Sequence, residues 1–411
     1  MKQLLKKILN KFYPISRIKQ KLRTMLNNFL FFFLWKLTYK IACLKKTDDK
    51  LLLFVASNDY TMPAEYESLF NLAKEKGYNP VCLYKAQNSS SVGYINELKK
   101  IRNDLRFIRY SARAKATFLY DYYFPAYANT PRKSTKLIQV WHGCGAFKKF
   151  GHSLKNSSFG LSADLLHKYN VHKTYTDIIA SSEYIIPKYA EAFCVKEDVI
   201  KPVGVPRTDV YFDEKFVQGQ KMELISKFPE LADKKIILYA PTFRGKSFSK
   251  SYNDKSLDFL KLKEIFGEKY AFVLKLHPHV AESISFTEEE EKALSGFLYN
   301  ISKTVPIDTA LSSADILISD YSSLIFEYAL LKRPMIFYAY DLEEYDSDRS
   351  FFYPYEEFVP GKIVKNTDEL IEALKQAEKG ADEKMISMFT ERFMSACDGK
   401  STQRILDLVE E

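Results

Sequence analysis

A histidine that stands among glycines and is followed by two lysines is the part of this sequence best suited to chemistry. Residues 140–151 read VWHGCGAFKKFG, and the apolar run before them predicts a buried strand over residues 136–141. Ligands of open α/β sheets bind at the carboxyl ends of strands, and a histidine there can act as a general base near neutral pH. We therefore predict that His142 is a catalytic base. No second base accompanies Cys144, so this cysteine is interpreted as a packed small residue and not as a nucleophile.

Four more polar segments occur farther along the chain, most of them at the ends of predicted strands. They are GVPRTD at 204–209, YAPTFRG at 239–245, KLHP at 275–278 and ISDYSS at 318–323. Arginine, lysine and histidine at successive strand ends are suited to bind phosphate groups, and arginine can do so through two parallel hydrogen bonds. A helix that begins at the last segment would offer free N–H groups to a phosphate, although serine and aspartate are also ordinary helix caps.

Taken together and in this order, the five segments resemble the CDP-glycerol glycerophosphotransferase family of teichoic-acid and capsule synthesis. The resemblance covers roughly residues 50 to 400 and implies a GT-B-like α/β fold with two Rossmann-like domains that face a cleft. It further implies transfer of glycerol phosphate from CDP-glycerol to a hydroxyl of a lipid-linked saccharide or polyol-phosphate acceptor, with release of CMP. In such an enzyme the proposed base lies at the position of His142.

Strand-end position and family resemblance together give the predicted donor-binding residues. These are Gly143, Arg207, Pro241, Thr242, Arg244, Lys275, His277, Asp320, Ser322, Ser323 and Glu327. The cationic side chains are expected at the pyrophosphate. By resemblance, Ser322, Ser323 and Glu327 would hold the nucleotide half of CDP-glycerol, with the Glu327 carboxylate accepting ribose hydroxyls.

Several alternatives stay open at the level of sequence. The donor can be CDP-glycerol or CDP-ribitol, the product one unit or a polymer, the pathway teichoic acid or capsule, and the protein a monomer or an oligomer. The spacer 144–147 (CGAF) resembles that of the shorter, single-unit enzymes. The acceptor is expected to be a polyprenyl-diphosphate-linked saccharide or its growing polymer. A GT-B glycosyltransferase that uses a nucleotide sugar and a non-catalytic scaffold on a membrane surface are the competing functions.

Cofactor motifs are missing from the sequence. It contains no Walker loop and no Gly-x-Gly-x-x-Gly fingerprint, which disfavours ATP and NAD. The acidic run at 288–291 is typical of a solvated helix face, and no carboxylate cluster indicates a metal site. The five cysteines include no Cys-x-x-Cys pair, which suits reduced thiols in a cytoplasm. We therefore expect neither a cofactor nor a metal.

Positive charge is concentrated at the amino terminus. Twelve of the 61 Lys and Arg residues lie within residues 1–47, which contain no Asp or Glu, so the other 49 are outnumbered by 52 acidic residues. The run FLFFFLW at 29–35 is too short to span a bilayer, which needs about 20 residues. This segment predicts an in-plane anchor on the cytoplasmic face of the plasma membrane. Its predicted contacts are Lys6, Lys7, Lys11, Phe31, Phe32, Phe33 and Trp35. A helix packed on the protein body is the alternative, and nucleic acid is disfavoured because the body is net acidic.

The rest of the chain alternates short apolar runs with longer amphipathic ones, which predicts parallel sheets covered by helices. Strands are predicted at 51–56, 80–84, 116–120, 136–141, 177–181, 236–239, 271–275, 315–319 and 334–338. The polar stretch 212–235 separates two such series. We therefore predict a basic membrane-associating segment over 1–48, an acceptor domain over 49–215 and a CDP-donor domain over 216–411. A hydrophobic content of 46% excludes a disordered chain.

Overall fold

The structure is a computed structural model that describes residues 18–86, 93–154, 160–244, 256–277, 280–281 and 284–411. Three of the residues predicted to contact the membrane, Lys6, Lys7 and Lys11, lie outside the described residues. Gly245 and Pro278, which belong to two of the polar segments, also lie outside them.

Twelve strands form two six-stranded sheets. The first sheet has the order β2-β1-β3-β4-β5-β6, and the second has the order β12-β11-β10-β7-β8-β9. Their bounds are β1 Asp48–Ala56, β2 Asn79–Tyr84, β3 Ala114–Leu119, β4 Lys136–Gln139, β5 Asp177–Ile179, β6 Ile200–Lys201, β7 Lys235–Tyr239, β8 Tyr270–Leu274, β9 Leu298–Asn300, β10 Ile316–Ser319, β11 Met335–Tyr338 and β12 Lys362–Val364. The pairing is parallel, from β1 with β2 and β3 to β11 with β12.

Helices connect these strands. They are α1 over residues 18–29, then α2 Trp35–Ala42, α3 Ala64–Glu75, α4 Gly93–Ser111, α5 Ala163–Lys168, α6 Ile186–Phe193, α7 Glu214–Lys227, α8 Phe259–Phe266, α9 Glu288–Leu294, α10 Ile307–Ser313, α11 Leu324–Leu330, α12 Leu342–Arg349, α13 Tyr355–Phe358, α14 Thr367–Ala377, α15 Glu383–Met394 and α16 Ser401–Asp407. Parallel strands need crossover connections, which are usually helices. The parallel pairing and the helices between the strands therefore confirm the predicted α/β class.

Burial on both faces explains why the central strands are continuous apolar runs. Residues 51–56 of β1 are all buried, as expected for a parallel sheet that is covered on both sides. Phe54 stacks on Phe118 of β3 with ring centroids 4.7 Å apart. The Tyr66 hydroxyl donates to the carbonyl oxygens of Val55 and Phe118, which fixes α3 across both strands.

The chain divides into two compact units. The first unit comprises the described residues up to Trp141 together with Ser162–Ile178, and the second comprises His142–Leu161 and Ile179–Glu411. The domain boundary predicted at 215/216 therefore lies inside the second unit. The loop that carries His142 also belongs to the second unit, although it follows a strand of the first sheet.

Residues 1–48 were predicted as a separate segment, but their described part belongs to the first unit. Helix α1 continues through the π-helical turn Leu30–Leu34 into α2. Phe31 and Trp35 are only 2% and 6% exposed, and the Phe31 ring packs edge-on against Tyr169 at 4.8 Å. The prediction that Phe31 and Trp35 insert into a membrane is therefore wrong, because both side chains pack inside the protein.

The opposite face of the same helices is apolar and open to solvent. Phe32 and Phe33 are 44% and 57% exposed. Further exposed apolar side chains of this face are Ile18, Leu22, Met25, Leu26, Phe29, Leu37, Ile41 and Leu44. Among the described residues, no helix is long and apolar enough to cross a membrane. All five cysteines are free thiols.

Candidate active site

Strand order in the second sheet reverses at β7. The chain runs from β7 to β8 and β9 on one side, and then returns to β10, β11 and β12 on the other. The carboxyl ends of β7 and β10 therefore adjoin where open α/β sheets bind ligands. The predicted residues Thr242 and Arg244 follow β7, and Asp320 and Ser322 follow β10. The Thr242 N–H donates to Asp320 Oδ1 at 2.8 Å and joins the two loops.

Arg244 is enclosed by two carboxylates at this point. Its Nη1 donates to Asp320 Oδ2 at 2.8 Å, and its Nε and Nη2 donate to the two carboxylate oxygens of Asp341 at 2.5 and 2.9 Å. The Arg244 side chain is 8% exposed, and its guanidinium lies over the rings of Tyr321 and Tyr345. The neighbouring carboxylates raise the pKa of Arg244 against the effect of burial.

These contacts argue against the predicted role of Arg244 as a pyrophosphate ligand. Two carboxylates already compensate its charge, and most of its N–H groups are used. Asp320 also serves the protein itself, because it is 1% exposed and accepts the N–H groups of Thr242 and Tyr321 through Oδ1. Arg244 and Asp320 thus connect the loops that follow β7 and β10.

Hydroxyl groups remain available beside this ion pair. Thr242 Oγ1 is buried and has no hydrogen-bond partner among the described residues, and Pro241 before it is buried. Ser323 is exposed, and its side chain does not cap α11. Ser322 Oγ accepts only a long 3.5 Å bond from the Leu324 N–H. A phosphate at this point would meet hydroxyl donors and the first N–H groups of α11.

Cations follow the neighbouring strand β8. Lys275 Nζ donates to the carbonyl oxygens of Ser302 and Val305 at 3.0 and 2.5 Å, and burial lowers the pKa of Lys275. Both of these hydrogen-bond partners of Lys275 are neutral carbonyl groups. The exposed His277 lies two residues on, with its ring 5.3 Å from that of Phe243. Both predicted residues are thus placed beside the switch point in the sheet.

His142 is exposed in the loop after β4. Trp141, just before it, has a left-handed backbone with φ of 57°, so β4 ends earlier than predicted and the chain turns. The Gly143 carbonyl accepts the Tyr189 hydroxyl at 3.1 Å. Gly145 has φ of +62°, and a Cβ there would lie 2.2 Å from the Phe326 ring. Only glycine fits this position, and the loop packs closely on α11.

The side chain of Cys144 connects this loop to two predicted donor ligands. Its thiol donates to Glu327 Oε1 at 3.7 Å, and Arg207 Nε lies 3.8 Å from the same oxygen. Arg207 Nη2 also pairs with Asp308 Oδ1 at 3.1 Å, which accepts the Tyr211 hydroxyl at 2.6 Å. Arg207 and Glu327 are thus brought together, but as partners of each other.

Burial governs the chemistry of this network. Glu327 is 4% exposed, and burial raises the pKa of its carboxyl although Arg207 acts in the opposite direction. Burial and the Glu327 charge raise the pKa of the Cys144 thiol well above its usual range, so Cys144 is not an activated thiolate. Glu327 Oε2 is buried without a hydrogen-bond partner among the described residues. This buried position disagrees with the predicted ribose contact of Glu327.

Sequence reasoning missed Asp341, Asp308, Tyr211 and Ser181. Asp341 lies three residues beyond the end of β11, so strand-end position was the signal that could have found it. Ser181 follows β5 and accepts the Gly145 N–H at 3.0 Å. Asp308 lies in the first turn of α10, where an acidic residue is common without any function. No group of three or more His, Cys, Asp or Glu residues in the described ranges could hold a metal ion.

Comparison with known proteins gives the family context. The family model for CDP-glycerol:poly(glycerophosphate) glycerophosphotransferases matches residues 37–411. The chain is 41% identical over 299 residues to a teichoic acid ribitol-phosphate primase of Bacillus spizizenii, covering 72% of this chain and 75% of the primase. It is 37% identical over 375 residues to the teichoic acid ribitol-phosphate polymerase TarL of Staphylococcus aureus. That match covers 90% of this chain and 63% of TarL, so the chain spans less than two thirds of this relative.

The fold is similar to that of the wall teichoic acid polymerase TagF. A histidine-to-asparagine variant of TagF soaked with CDPG superimposes with a TM-score of 0.74 over 96% of this chain and 97% of that chain. At 24% identity this likeness concerns the fold, and it confirms the predicted GT-B-like class.

Proposed function

Because the chain belongs to the CDP-glycerol:poly(glycerophosphate) glycerophosphotransferase family, we propose that it transfers a polyol phosphate from a CDP-polyol to an acceptor hydroxyl and releases CMP. The observation that carries this proposal is the family match over residues 37–411. The exposed histidine on a fixed loop supports it, and so do the hydroxyls and cations around the switch point of the second sheet.

The reaction needs an in-line displacement at phosphorus. The acceptor oxygen forms a bond to the phosphorus that carries the polyol, and the bond from this phosphorus to the bridging oxygen breaks. CMP leaves with that oxygen, and the proton of the acceptor hydroxyl goes to the imidazole of His142. Such transfers depend mainly on positioning and on stabilising negative charge. Exposed His142 and His277 and the partly exposed Lys275 are suited to these tasks.

The remaining predicted residues either bind the donor or hold the loops of the site in this proposal. Thr242, Ser322 and Ser323 donate hydrogen bonds to the phosphates or ribose. Arg207 and Glu327 hold the loop after His142 through Cys144, and Arg244 with Asp320 holds the loops of the switch point. The donor-binding role is thus proposed for Gly143, Pro241, Thr242, Lys275, His277, Ser322 and Ser323.

Two donors are consistent with family membership. The family description names glycerophosphate, which supports CDP-glycerol. The identities of 41% and 37% to two ribitol-phosphate enzymes favour CDP-ribitol as a second candidate. The acceptor in either case is proposed to be a lipid-linked saccharide or polyol phosphate of teichoic-acid synthesis.

A lipid-linked acceptor would require access to a membrane surface. The exposed face of α1 and α2 offers Phe29, Phe32, Phe33 and Leu37 beside Lys36 and Lys40. Apolar side chains flanked by lysines are typical of helices that lie in the bilayer interface. We place the protein at the cytoplasmic membrane face on this basis.

A nucleotide-release assay tests the proposed activity. The protein is incubated with CDP-glycerol, CDP-ribitol, UDP-glucose or UDP-N-acetylglucosamine together with a lipid-linked acceptor analogue, and the free nucleotide is identified. CMP from a CDP-polyol is the expected product. UDP from a nucleotide sugar would favour the glycosyltransferase instead, and no nucleotide from any donor would favour a non-catalytic scaffold.

A further inference from the structure

A second group of cations and aromatic rings lies in the second unit, apart from the candidate active site. Arg392 of α15 places its guanidinium carbon 4.3 Å from the ring centroid of Tyr184 and 5.5 Å from that of Tyr353. Lys188 of α6 places Nζ 5.7 Å from the Tyr353 ring. The two tyrosine rings are stacked with their centroids 5.7 Å apart. Two positive charges are therefore held together on one pair of rings.

These charges differ from those of Arg207 and Arg244 in the same unit. Arg207 and Arg244 are paired with aspartates. In the part of the chain that the structure describes, no carboxylate lies within ion-pair distance of Arg392 or Lys188. Both cations are reached by solvent, since Arg392 is exposed and Lys188 is partly exposed. Two adjacent uncompensated cations attract an anion, and contact with aromatic rings pre-orders their long side chains.

A hydroxyl group completes the set of donors. The Tyr353 Oη is buried and has no hydrogen-bond partner among the described residues. Burial raises the pKa of Tyr353, so this group keeps its proton and can donate. A guanidinium, an ammonium and a phenol hydroxyl form the kind of donor set that binds phosphate oxygens.

Hydrogen bonds connect this group to the loop after His142. Ser182 Oγ donates to the Arg392 carbonyl at 2.9 Å, and the neighbouring Ser181 Oγ donates to the Phe393 carbonyl at 2.7 Å. The same Ser181 Oγ accepts the Gly145 N–H at 3.0 Å. The tyrosine at 184 lies three residues beyond Ser181 and the one at 353 follows Phe352, whose N–H donates to the Phe147 carbonyl at 2.9 Å.

We propose that Arg392, Lys188, Tyr184 and Tyr353 form a subsite for a phosphate ester anion of the acceptor. The inference rests on the proposed function, and it adds the acceptor's own charge as a recognised feature. The subsite lies on the elements that follow β5, on α15 and between α12 and α13, whereas most of the proposed donor ligands follow β7, β8 and β10. Fixed to the loop after His142, it would hold an acceptor phosphate while the acceptor hydroxyl is deprotonated.

Substitution of the two cations tests the subsite through kinetics. Arg392→Gln, Lys188→Gln and the double variant are assayed with a phosphate-bearing acceptor, with donor and acceptor concentrations varied separately. Loss of one charge-assisted hydrogen bond costs about 1.5–3 kcal/mol, so the KM for the acceptor should rise roughly 10- to 100-fold for each variant. The KM for the CDP-polyol should stay unchanged. Lys384→Gln, an exposed lysine on the same helix α15, is the matched control and should change neither constant.

Binding without turnover separates this inference from the proposed activity. A short poly(glycerol phosphate) oligomer is titrated into the wild type and the double variant, both checked for an unchanged melting temperature. We expect saturable binding that weakens at least tenfold in the variant. If wild type and variant bind equally, or if the acceptor KM is unchanged in the variants, the subsite is refuted. A rise in the donor KM alone would also refute it. Absence of CMP release together with oligomer binding lost in the variant would refute only the proposed activity.

Discussion

The thiol of Cys144 donates to the carboxylate of Glu327 across 3.7 Å, and this contact joins the loop after His142 to the helix after β10. Both side chains are buried, at 2% and 4% exposure. The carboxyl group is therefore an internal anchor for the catalytic loop, and burial raises its pKa.

The buried Glu327 carboxylate should give the protein a defined pH dependence. Burial raises the pKa of Glu327 above its ordinary value of 4.5. A group whose pKa is higher in the folded state stabilises the fold at low pH, and this contribution is lost as the pH rises through the folded-state pKa. We predict that the melting temperature of Glu327→Gln, relative to wild type, increases between pH 4.5 and neutral pH.

Thermal melts across this pH range check the prediction, with the exposed Glu357→Gln of α13 as the control. If the melting temperature of Glu327→Gln, relative to wild type, falls with increasing pH, the effect of Arg207 on the pKa of Glu327 outweighs that of burial.

Two glycine substitutions should have opposite effects. Gly145→Ala introduces a Cβ 2.2 Å from the Phe326 ring at φ of +62°, and a left-handed backbone alone costs roughly 1–2 kcal/mol. Gly219→Ala lies in α7 with no atom within 4 Å of the new Cβ, and it should stabilise the helix by about 0.5–1 kcal/mol. Urea unfolding of both variants measures these changes. Equal stability of the two variants would contradict the close packing of the loop on α11.

Removal of the Arg244 side chain should lower the stability of the protein more than its affinity for the donor. Arg244→Ala leaves the buried Asp320 and the partly buried Asp341 without their arginine partner, and removing one partner of a buried ion pair typically costs about 3–5 kcal/mol. Arg109→Ala, an exposed arginine of α4, should stay within about 0.5 kcal/mol of wild type. Adding Asp341→Asn to Arg244→Ala should restore part of the loss. A stable Arg244→Ala variant with strongly weakened CDP-polyol binding would instead return Arg244 to the role of a pyrophosphate ligand.

His142→Ala should remove turnover and leave donor binding in place. Loss of a general base usually lowers the rate by about 10²- to 10⁴-fold, whereas the proposed donor ligands lie mainly on the second sheet. Steady-state kinetics and calorimetry with the CDP-polyol measure the two effects. His167→Ala on α5 is the histidine control. Near wild-type CMP release by His142→Ala would mean that another group accepts the proton.

The exposed phenylalanines should govern attachment to vesicles. Phe32→Ser with Phe33→Ser removes two exposed rings, each able to contribute about 1.5–3 kcal/mol when fully buried. We expect co-sedimentation with anionic vesicles to weaken on the order of tenfold or more. Met222→Ser replaces an exposed apolar residue of α7 and should have no effect. Equal sedimentation of all three proteins would locate membrane contact elsewhere.

The sequence predicted the buried strands best, because parallel strands covered on both faces are continuous apolar runs. It missed β6, β9 and β12, since short strands at or near a sheet edge are half-exposed and lack such a run. The start of α14 has a local signal of its own, because Asn366 Oδ1 accepts the Glu369 N–H at 2.9 Å and caps the helix. The strand before His142 was predicted too long, because the left-handed Trp141 ends the pairing.

Site residues were predicted by type and position, but their partners were not. The contact between Arg244 and Asp341 joins residues 97 positions apart, and no local pattern encodes such a pairing. The same holds for Cys144 and Glu327, which are 183 positions apart. Local sequence identified the residues at strand ends, whereas tertiary packing decides which of them neutralise one another and which stay open to a substrate.

Analysis of the acceptor product tests the central claim most directly. A lipid-linked acceptor analogue is incubated with CDP-glycerol or CDP-ribitol, and its mass and the amount of CMP are measured together. We predict that the acceptor gains polyol phosphate in amounts equal to the CMP released, and that His142→Ala abolishes both. An acceptor of unchanged mass with wild-type protein and both donors, or one that gains a sugar from a nucleotide sugar, would contradict the proposed polyol-phosphate transfer.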